Sequence, residues 1–354
     1  MKCSLDLQSD RTFMSELGRK AAQSRIPISG SIELTAACNL RCVHCYIAGP
    51  EPVSQKDLDS RYLYKMLDDL YEAGCLYLLF TGGEPLLRKD FAEIYTYAKK
   101  KGFIITVFSN GTLIGDGVVE LFREMPPFSV EISLYGATEE TYERIAGVRG
   151  SYAACLNGIN RLIDAGIELK LKTILMTHNQ SGFSAIEGIA KKLGVPFRFD
   201  AGIIPRFNGD KAPLGLRVPA KRVVEMEFSD PQREKTWEQF WDRIVNPKGD
   251  NYLYSCGAGL TTFHINALGM LQPCLMTTDC HYDLKTGDFK TGWDQMAGIR
   301  TIEKKADSKC AGCDKIALCG YCPPLFKLEN GSEGSSSDYF CKTGHCRYRR
   351  LTGD

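Results

Sequence analysis

The sequence predicts an α/β fold: a partial (β/α)6 TIM-like barrel, followed by a small cysteine-rich domain with a β-hairpin. Two observations lead to this prediction. Strand-like and helix-like segments alternate six times before residue 205, and nine of the fifteen cysteines follow residue 250. Repeated β-α units favour a parallel sheet with helices outside it. Six strands are too few to close an eight-stranded barrel, so we expect an open barrel with its site at the carboxyl ends of the strands.

The strands of this barrel are predicted from short apolar or alternating runs, and its helices from longer amphipathic runs. The predicted strands are residues 31–36, 76–81, 103–109, 129–135, 168–176 and 196–201. The predicted helices are residues 58–72, 91–101, 118–124, 139–145, 152–165 and 185–193. Each of the first five strands is followed by at least one helix, as parallel neighbours require.

The pattern changes after residue 204, where Pro205, Pro213 and Pro219 interrupt it and residues 220–244 have a helical pattern. Residues 261–266 and 270–273 flank a short turn and predict a hairpin, with Cys256 and Cys274 at its base. We therefore predict four parts. They are an N-terminal extension (1–30), the barrel (31–205), a helical connector (206–250) and the cysteine-rich domain (251–354).

Composition excludes several classes of function. The chain has 354 residues, 44% of them hydrophobic, and a net charge of +1 with acidic and basic residues interleaved. The sequence has no stripe of basic residues that would indicate nucleic-acid binding. It also has no apolar run long enough for a transmembrane helix. The N-terminus lacks the apolar core of a signal peptide. Abundant cysteine without an export signal favours metal sites over disulfides, so we expect a cytoplasmic protein that works at low oxygen.

The first cysteine motif has the spacing Cys38-x3-Cys42-x2-Cys45. Four cysteines complete the ligand set of a [4Fe–4S] cluster, whereas three thiolates leave one iron without a protein ligand. The motif therefore indicates a reaction centre at which a cofactor binds to iron. A zinc knuckle or a chance group of thiols is the alternative interpretation.

Two motifs together resemble the radical SAM superfamily. The cysteine motif is followed by the aromatic Tyr46, and an apolar run leads into Gly82-Gly83-Glu84-Pro85. The resemblance implies that S-adenosylmethionine (SAM) binds at the open iron and that the glycine turn ends the second strand and binds the methionine amino group. Glycines allow a backbone to approach a ligand closely, and a Glu84 carboxylate can accept from an ammonium. A plain strand-to-helix turn is the alternative.

The resemblance continues at the third and fourth strands. Ser109 and Asn110 resemble a third-strand segment that lines the SAM pocket in the family. Residues 130–136 resemble the family's fourth-strand segment, whose polar side chains often contact the ribose of SAM. Glu131, Ser133 and Tyr135 share one strand face, which points into the barrel or else forms a polar outer face. The residues predicted by resemblance to contact SAM are Tyr46, Gly82, Gly83, Glu84, Pro85, Ser109, Asn110, Glu131, Ser133 and Arg198.

The cysteines of the second half resemble the SPASM extension of radical SAM enzymes, which usually holds two auxiliary [4Fe–4S] clusters. The resemblance assigns Cys256, Cys274 and Cys322 to auxiliary cluster I and Cys310, Cys313, Cys319 and Cys341 to auxiliary cluster II. Only two residues separate Cys319 from Cys322, where the family usually has three. Some relatives have a further cysteine a few residues after the position of Cys256, where this chain has Thr261 and Thr262. Auxiliary cluster I therefore has an open iron, or Cys280 is its fourth ligand. Zinc remains an alternative, because Cys-x2-Cys pairs also suit a zinc ribbon.

The implied activity is reductive cleavage of SAM to a 5′-deoxyadenosyl radical, which abstracts hydrogen from a ribosomal peptide or protein and leads to a cross-link or an oxidation. The same chemistry on a small molecule, such as a tetrapyrrole or cofactor precursor, is the alternative. A third, remote alternative is a non-catalytic iron–sulfur electron-transfer protein or a zinc protein. Since only thirty-seven residues precede Cys38, we expect a leader-dependent peptide to be recognised by a separate protein or by residues 204–251. A flavodoxin or ferredoxin would supply electrons.

No general acid or base stands out, and the catalytic candidates are Tyr135 and Asp200. Arg198 and Asp200 alternate with two phenylalanines and share one face. They would contact SAM, orient the substrate or form an ion pair. His44 lies inside the first cysteine loop, where packing or a hydrogen bond is expected. Further candidate metal ligands are His264, His281 and His345, which follow or flank the second cysteine set.

Overall fold

The computed structural model describes residues 10–47, 57–244 and 250–353. Its centre is a nine-stranded sheet in the order β6-β5-β4-β3-β2-β1-β7-β8-β9. The strands are β1 Ser29–Thr35, β2 Tyr77–Gly82, β3 Ile104–Ser109, β4 Ser129–Ser133, β5 Leu169–Ile174, β6 Phe197–Asp200, β7 Thr262–Ile265, β8 Met270–Gln272 and β9 Tyr282–Asp283. Strands β1 to β6 are parallel neighbours in chain order. The predicted open barrel is thus confirmed.

Helices cover the outer face of this sheet and continue into the second half of the chain. They are α1 Asp10–Gln23, α2 Ser60–Glu72, α3 Phe91–Lys100, α4 Asp116–Glu124, α5 Glu139–Ala146, α6 Ser151–Asp164, α7 Phe183–Leu193, α8 Ala220–Glu227, α9 Pro231–Asp242, α10 Phe289–Gln295, α11 Pro323–Asn330 and α12 Asp338–Thr352. Among the helices that the structure describes, none combines the length and the apolar composition needed to cross a membrane.

Each barrel strand buries alternate residues against the helices and turns the others inward. On β1, Ile32 and Leu34 are 1% exposed and belong to the main core, while Ser31 and Glu33 lie on the opposite face. On β4, Val130 and Ile132 are fully buried in the same core. The inner face therefore carries the polar side chains, which places chemistry inside the barrel.

The hairpin of the second half belongs to the barrel sheet, which the sequence pattern did not predict. Strand β7 pairs in parallel with β1, with Ser29 opposite Thr262. This pairing needs Gly30, because a Cβ there would lie 2.0 Å from the Phe263 ring. The cysteine-rich half is thereby fixed beside the strand that leads into the first cysteine motif.

The predicted helical connector is divided in two within its described part, residues 245–249 lying outside it. Helix α8 ends at Glu227, and Asp230 caps α9 by accepting from the Arg233 N–H at 2.9 Å. Pro231, the first residue of α9, removes a backbone donor that α8 would need to continue. The sequence patterns also missed α1, α10, α11 and α12.

Helix α12 closes the structure against the barrel side. Its Arg347 donates to both oxygens of Glu227 on α8, at 2.8 and 2.6 Å. A second buried pair joins Arg217 to Glu329 of α11 at 3.0 and 2.8 Å. Bidentate pairs fix both distance and orientation, so the C-terminal helices are held over one side of the barrel mouth.

Candidate functional site

The first cysteine loop follows β1 and is held by backbone hydrogen bonds. The N–H groups of Arg41 and Val43 donate to the carbonyls of Ala146 and Ile145 at 2.8 and 3.0 Å. Within the loop, the Cys45 N–H donates to the Cys42 carbonyl at 3.0 Å. The loop is therefore fixed against the end of α5, and its thiols do not depend on side-chain packing alone for their positions.

The three thiols of this loop lie close enough to influence one another's ionisation. Burial, with smaller contributions from Glu84 and Cys45, raises the pKa of Cys38 to about 11. Burial also raises the pKa of Cys42, and the neighbouring Cys45 and Cys38 add to the effect. Metal ligation requires thiolates and displaces the protons. Three adjacent thiols beside a cavity fit a cluster with one open iron.

The glycine turn after β2 touches the start of this loop and tolerates no side chain. A Cβ on Gly82, whose φ is +137°, would lie 2.2 Å from the Thr35 oxygen, and one on Gly83 would lie 2.1 Å from the Ala37 oxygen. The Gly83 N–H donates to Thr35 at 2.8 Å. The sequence predicted that these glycines let the backbone approach a ligand closely. In the structure they lie close to the backbone of the residues that lead into the cysteine loop.

Glu84 is fully buried and used within the scaffold. Its oxygens accept from the Ser109 hydroxyl at 2.9 Å, the Asn110 N–H at 2.7 Å and the Leu86 N–H at 3.2 Å. Burial raises the pKa of Glu84 to about 7, against the effect of these donors. Gly82 and Gly83 line the cavity described below, but Glu84 does not. Its contact with the SAM amino group stays a prediction.

Asn110 connects the end of β3 to the cysteine loop. Its amide nitrogen donates to the Asn39 side chain at 2.8 Å, and its oxygen accepts from the Thr112 N–H at 2.9 Å. The same nitrogen lies 3.9 Å from the Cys38 sulfur. Asn110 therefore helps to position the loop as well as lining the cavity.

A cavity of about 820 Å³ joins these parts at the carboxyl ends of the strands. The cysteine loop, the strand ends and the C-terminal helices all contribute to its wall. Of the predicted site residues, it is lined by Cys38, Cys42, Cys45, Tyr46, Gly82, Gly83, Ser109, Asn110, Ser133, Tyr135, Arg198, Asp200 and Cys319. Glu84, Pro85 and Glu131 lie outside this wall.

Arg198 on β6 forms its ion pair with Glu131 on β4, and not with Asp200, which the sequence offered as a partner. Arg198 donates through Nε and Nη2 to one oxygen of Glu131, at 3.1 and 2.6 Å. Asp200 instead accepts from the Gly202 N–H at 2.7 Å. Arg198 is therefore paired across the sheet, and Asp200 remains exposed at the cavity.

The histidines have identifiable neighbours. The His44 ring packs edge-on against Tyr135, with centroids 4.8 Å apart, and burial lowers the pKa of His44 to about 4. His264 hydrogen-bonds Ser31 at 2.8 Å and lies 3.7 Å from Glu33. His281 contacts the Thr278 carbonyl at 3.1 Å. The packing role expected for His44 agrees with this placement.

Two inward-facing charged residues, Glu33 and Lys172, were missed by the sequence reasoning. Glu33 is 6% exposed and accepts from the Ala267 N–H at 3.2 Å. Lys172 lies on β5 in the cavity wall. The signal was present, since both alternate with apolar residues along their strands. Which face is the inner one became clear only from the packing.

Glu33 gives a testable pH dependence. Burial raises the pKa of Glu33 from 4.5 to about 7, so folding favours its protonated form. Ionisation of Glu33 therefore lowers the free energy of unfolding. This loss is absent below pH 4.5, grows between pH 4.5 and 7, and is complete above pH 7. We expect Glu33→Gln to stabilise the apoprotein at pH 8 relative to wild type by on the order of 3 kcal/mol, and much less at pH 5. Urea unfolding at both values measures this.

The surface variant Glu93→Gln on α3 is the control and should show no such difference, because Glu93 is exposed. An equal effect of Glu33→Gln at pH 5 and pH 8 would show that Glu33 is ionised, or equally costly, throughout this range.

Comparison with known proteins identifies the family. Residues 32–193 match the model of the radical SAM superfamily, over the barrel that holds the cysteine loop and the glycine turn. The chain contains a radical SAM domain over residues 32–193. It is an enzyme of that superfamily, and membership implies SAM and an iron–sulfur cluster as cofactors.

The names of the relatives of this radical SAM enzyme indicate different products. An AdoMet-dependent heme synthase from Methanosarcina barkeri is 25% identical over 90% of this chain and 95% of its own length. The mycofactocin maturase MftC of Mycobacterium tuberculosis is 27% identical over 90% of this chain and 84% of its own. Streptococcus suis SuiB bound to the precursor peptide SuiA has a TM-score of 0.71 at 16% identity. That match covers 96% of this chain and 84% of SuiB, and shows a shared fold.

In the second half of the chain, the cysteines influence one another's ionisation within each of the two predicted sets. Burial, together with the neighbouring Cys341, Cys310 and Cys313, raises the pKa of Cys319 to about 12. In the other set, burial raises the pKa of Cys322 to about 11, with added effects of Cys274 and Cys256. Each set thus lies within mutual electrostatic range, which fits two cluster sites.

Two further groups lie beside the smaller set. Glu333 accepts from the Tyr254 hydroxyl at 2.8 Å and raises the pKa of Cys280, after burial. In the described parts of the chain, no three Cys, His, Asp or Glu side chains are spaced to hold a single metal ion. The ligand set of auxiliary cluster I, including Cys280 as a candidate fourth ligand, stays a prediction.

Proposed function

We propose that this radical SAM enzyme abstracts hydrogen from a ribosomal peptide or protein and thereby cross-links or oxidises it. The cavity carries this proposal. It places the three-cysteine loop, the glycine turn and inward polar groups of four strands around about 820 Å³, beside a C-terminal half with two further cysteine sets. When bound, the cluster and SAM supply reductive SAM cleavage and hydrogen abstraction.

The chain's own residues hold the reactants and exclude water. Cys38, Cys42 and Cys45 would hold the cluster, and the backbone at Gly82 and Gly83 would face SAM. Tyr339 and Phe340 of α12 cover one side of the cavity, which limits quenching of a reactive species by solvent. Tyr135 and Asp200 remain the candidate proton-transfer groups, since both line the cavity.

Named relatives support a peptide substrate. MftC is a maturase of mycofactocin, and SuiB was solved with a precursor peptide. We extend this to the present chain as a proposal, with a separate leader-recognition protein as partner and a flavodoxin or ferredoxin as reductant. The division into parts at residues 30, 205 and 250 belongs to the same proposal.

A tetrapyrrole is the second candidate substrate. The heme synthase of M. barkeri matches this chain over 95% of its own length. The cavity wall also carries the cations Arg41, Lys172 and Arg198, which suit the carboxylates of such a molecule. Both candidates share the SAM chemistry and differ in substrate size and protease sensitivity.

We propose three [4Fe–4S] clusters, on the two sets of the second half as well as the first loop. Anaerobic reconstitution is expected to give about twelve irons per chain, since each cluster holds four. Iron and zinc analysis after gel filtration measures this. About four irons together with bound zinc would contradict the auxiliary clusters but not the first site.

The deciding experiment measures 5′-deoxyadenosine formed by the reconstituted, reduced enzyme with a low-mass extract of the native cells. Stimulation that protease treatment of the extract abolishes would support a peptide substrate. Stimulation that survives protease would support the tetrapyrrole or another small molecule. Absence of 5′-deoxyadenosine under all conditions, with the first cluster intact, would contradict the proposed activity.

A further inference from the structure

Lys172 lies in the cavity wall, and its amino group makes no hydrogen bond or ion pair with an acidic side chain among the described residues. It lies on the inner face of β5 and is half-buried, with its exposed part facing the cavity. Its Nζ stands 2.8 Å from the centroid of the Phe108 ring on β3. Over the residues that the structure describes, Lys172 forms no side-chain hydrogen bond or ion pair.

The acids nearest to Lys172 are already engaged. Glu131 accepts twice from Arg198, and Glu84 accepts from Ser109 and the Asn110 N–H. Burial lowers the pKa of Lys172 well below its usual value, an effect that Glu131 opposes. A cation withdrawn from water is costly unless an anion or an equivalent acceptor compensates it. An anion bound at this point of the cavity would therefore stabilise the charged form of Lys172.

We propose that Lys172 binds a carboxylate of the substrate. The inference rests on the proposed function, and it holds for both candidates, because peptides carry acidic side chains and a C-terminus and tetrapyrroles carry propionates. The carboxylate of SAM is the competing partner, and the first arm of the test below distinguishes it from a substrate carboxylate. Strand β5 is three strands from β2, roughly 14 Å along the sheet, and β2 carries the turn next to the cysteine loop. Beyond Lys172 the wall continues through Asp200 to Phe340 of α12.

The first arm of the test asks whether SAM supplies the carboxylate. Binding of SAM and of decarboxylated SAM is compared in reconstituted wild type, Lys172→Met and Lys170→Met. Lys170 is the matched control, since it lies on the same strand face and its Nζ is 5.6 Å from the Phe128 ring, outside the cavity wall. We expect the same ratio of affinities in all three. If the affinities for SAM and decarboxylated SAM became equal only in Lys172→Met, the lysine would bind the carboxylate of SAM, and the proposal would be overturned.

The second arm uses the stimulating low-mass extract, as prepared and after methyl esterification, which neutralises carboxylates. Wild type and Lys170→Met should lose stimulation on esterification. Lys172→Met should need about 10- to 100-fold more untreated extract and respond little to esterification, because its partner charge is gone. Lys172→Arg should recover part of the response. Iron content and SAM binding show that each variant is folded.

Lys172→Met that responds to both extracts like wild type would overturn the proposal. A wild-type enzyme that forms 5′-deoxyadenosine but is stimulated by no extract would contradict the proposed substrate classes instead. The two failures are therefore distinguishable, because the first concerns a variant and the second concerns the wild type.

Discussion

Replacing Cys42 by serine is expected to abolish SAM cleavage. Cys42 lies in the middle of the first cysteine motif, and its ionisation is influenced by both Cys45 and Cys38. A serine hydroxyl fits the space but does not replace a soft thiolate as an iron ligand. We expect 5′-deoxyadenosine at background level and a loss of about four irons per chain. Both are measured on protein reconstituted in parallel with wild type.

Cys346→Ala is the control for this prediction. Cys346 lies on α12 outside the predicted ligand sets, and the Arg349 guanidinium lies 3.9 Å from its sulfur. This variant should keep wild-type iron and activity. Full iron content in Cys42→Ser would mean that another group in the chain replaces Cys42 as the ligand.

Gly83→Ala is expected to destabilise the junction between the cysteine loop and the glycine turn. The new Cβ would lie 2.1 Å from the Ala37 oxygen and 2.7 Å from the Ala36 oxygen. Both are backbone atoms that cannot rotate away, so β2 or the loop has to move. We expect a loss of at least about 2 kcal/mol in the apoprotein and at least about tenfold weaker SAM binding in the reconstituted enzyme. Urea unfolding and equilibrium dialysis measure the two effects.

Gly188→Ala is the matched substitution. Gly188 lies in α7, and a Cβ there would meet nothing within 4 Å. Alanine favours helix over glycine by roughly 1 kcal/mol, so this variant should be as stable as wild type or more so. Normal SAM binding by Gly83→Ala would show that the turn adapts to the extra methyl group and that its close approach is dispensable.

The order of the barrel strands could be predicted because the evidence for it is local. Alternating and amphipathic runs lie within single segments, and helical crossovers force parallel neighbours to follow chain order. The predicted ends differed by a few residues where a side chain took over a backbone group. Strand β5, for example, ends at Ile174, and the Met176 N–H donates to the Asn179 side chain at 2.8 Å.

The position of β7 could not be predicted in this way. Its four residues form a hairpin with β8 that the sequence did indicate, but its other edge pairs with β1, more than two hundred residues earlier. That pairing depends on Gly30 leaving room for the Phe263 ring. Such complementarity is visible only once both strands are placed.

The sequence by itself predicted the fold class and the superfamily, because motif spacing and periodicity are properties of short segments. The grouping of the cysteines into two clusters stays a prediction from the resemblance. Only the tertiary structure decided which charges meet. It paired Arg198 with Glu131, placed His264 beside Ser31 and left Lys172 facing the cavity. The physical reason is strand register: shifting one strand by a single residue would exchange its inner and outer faces, and register is set by packing across the whole sheet.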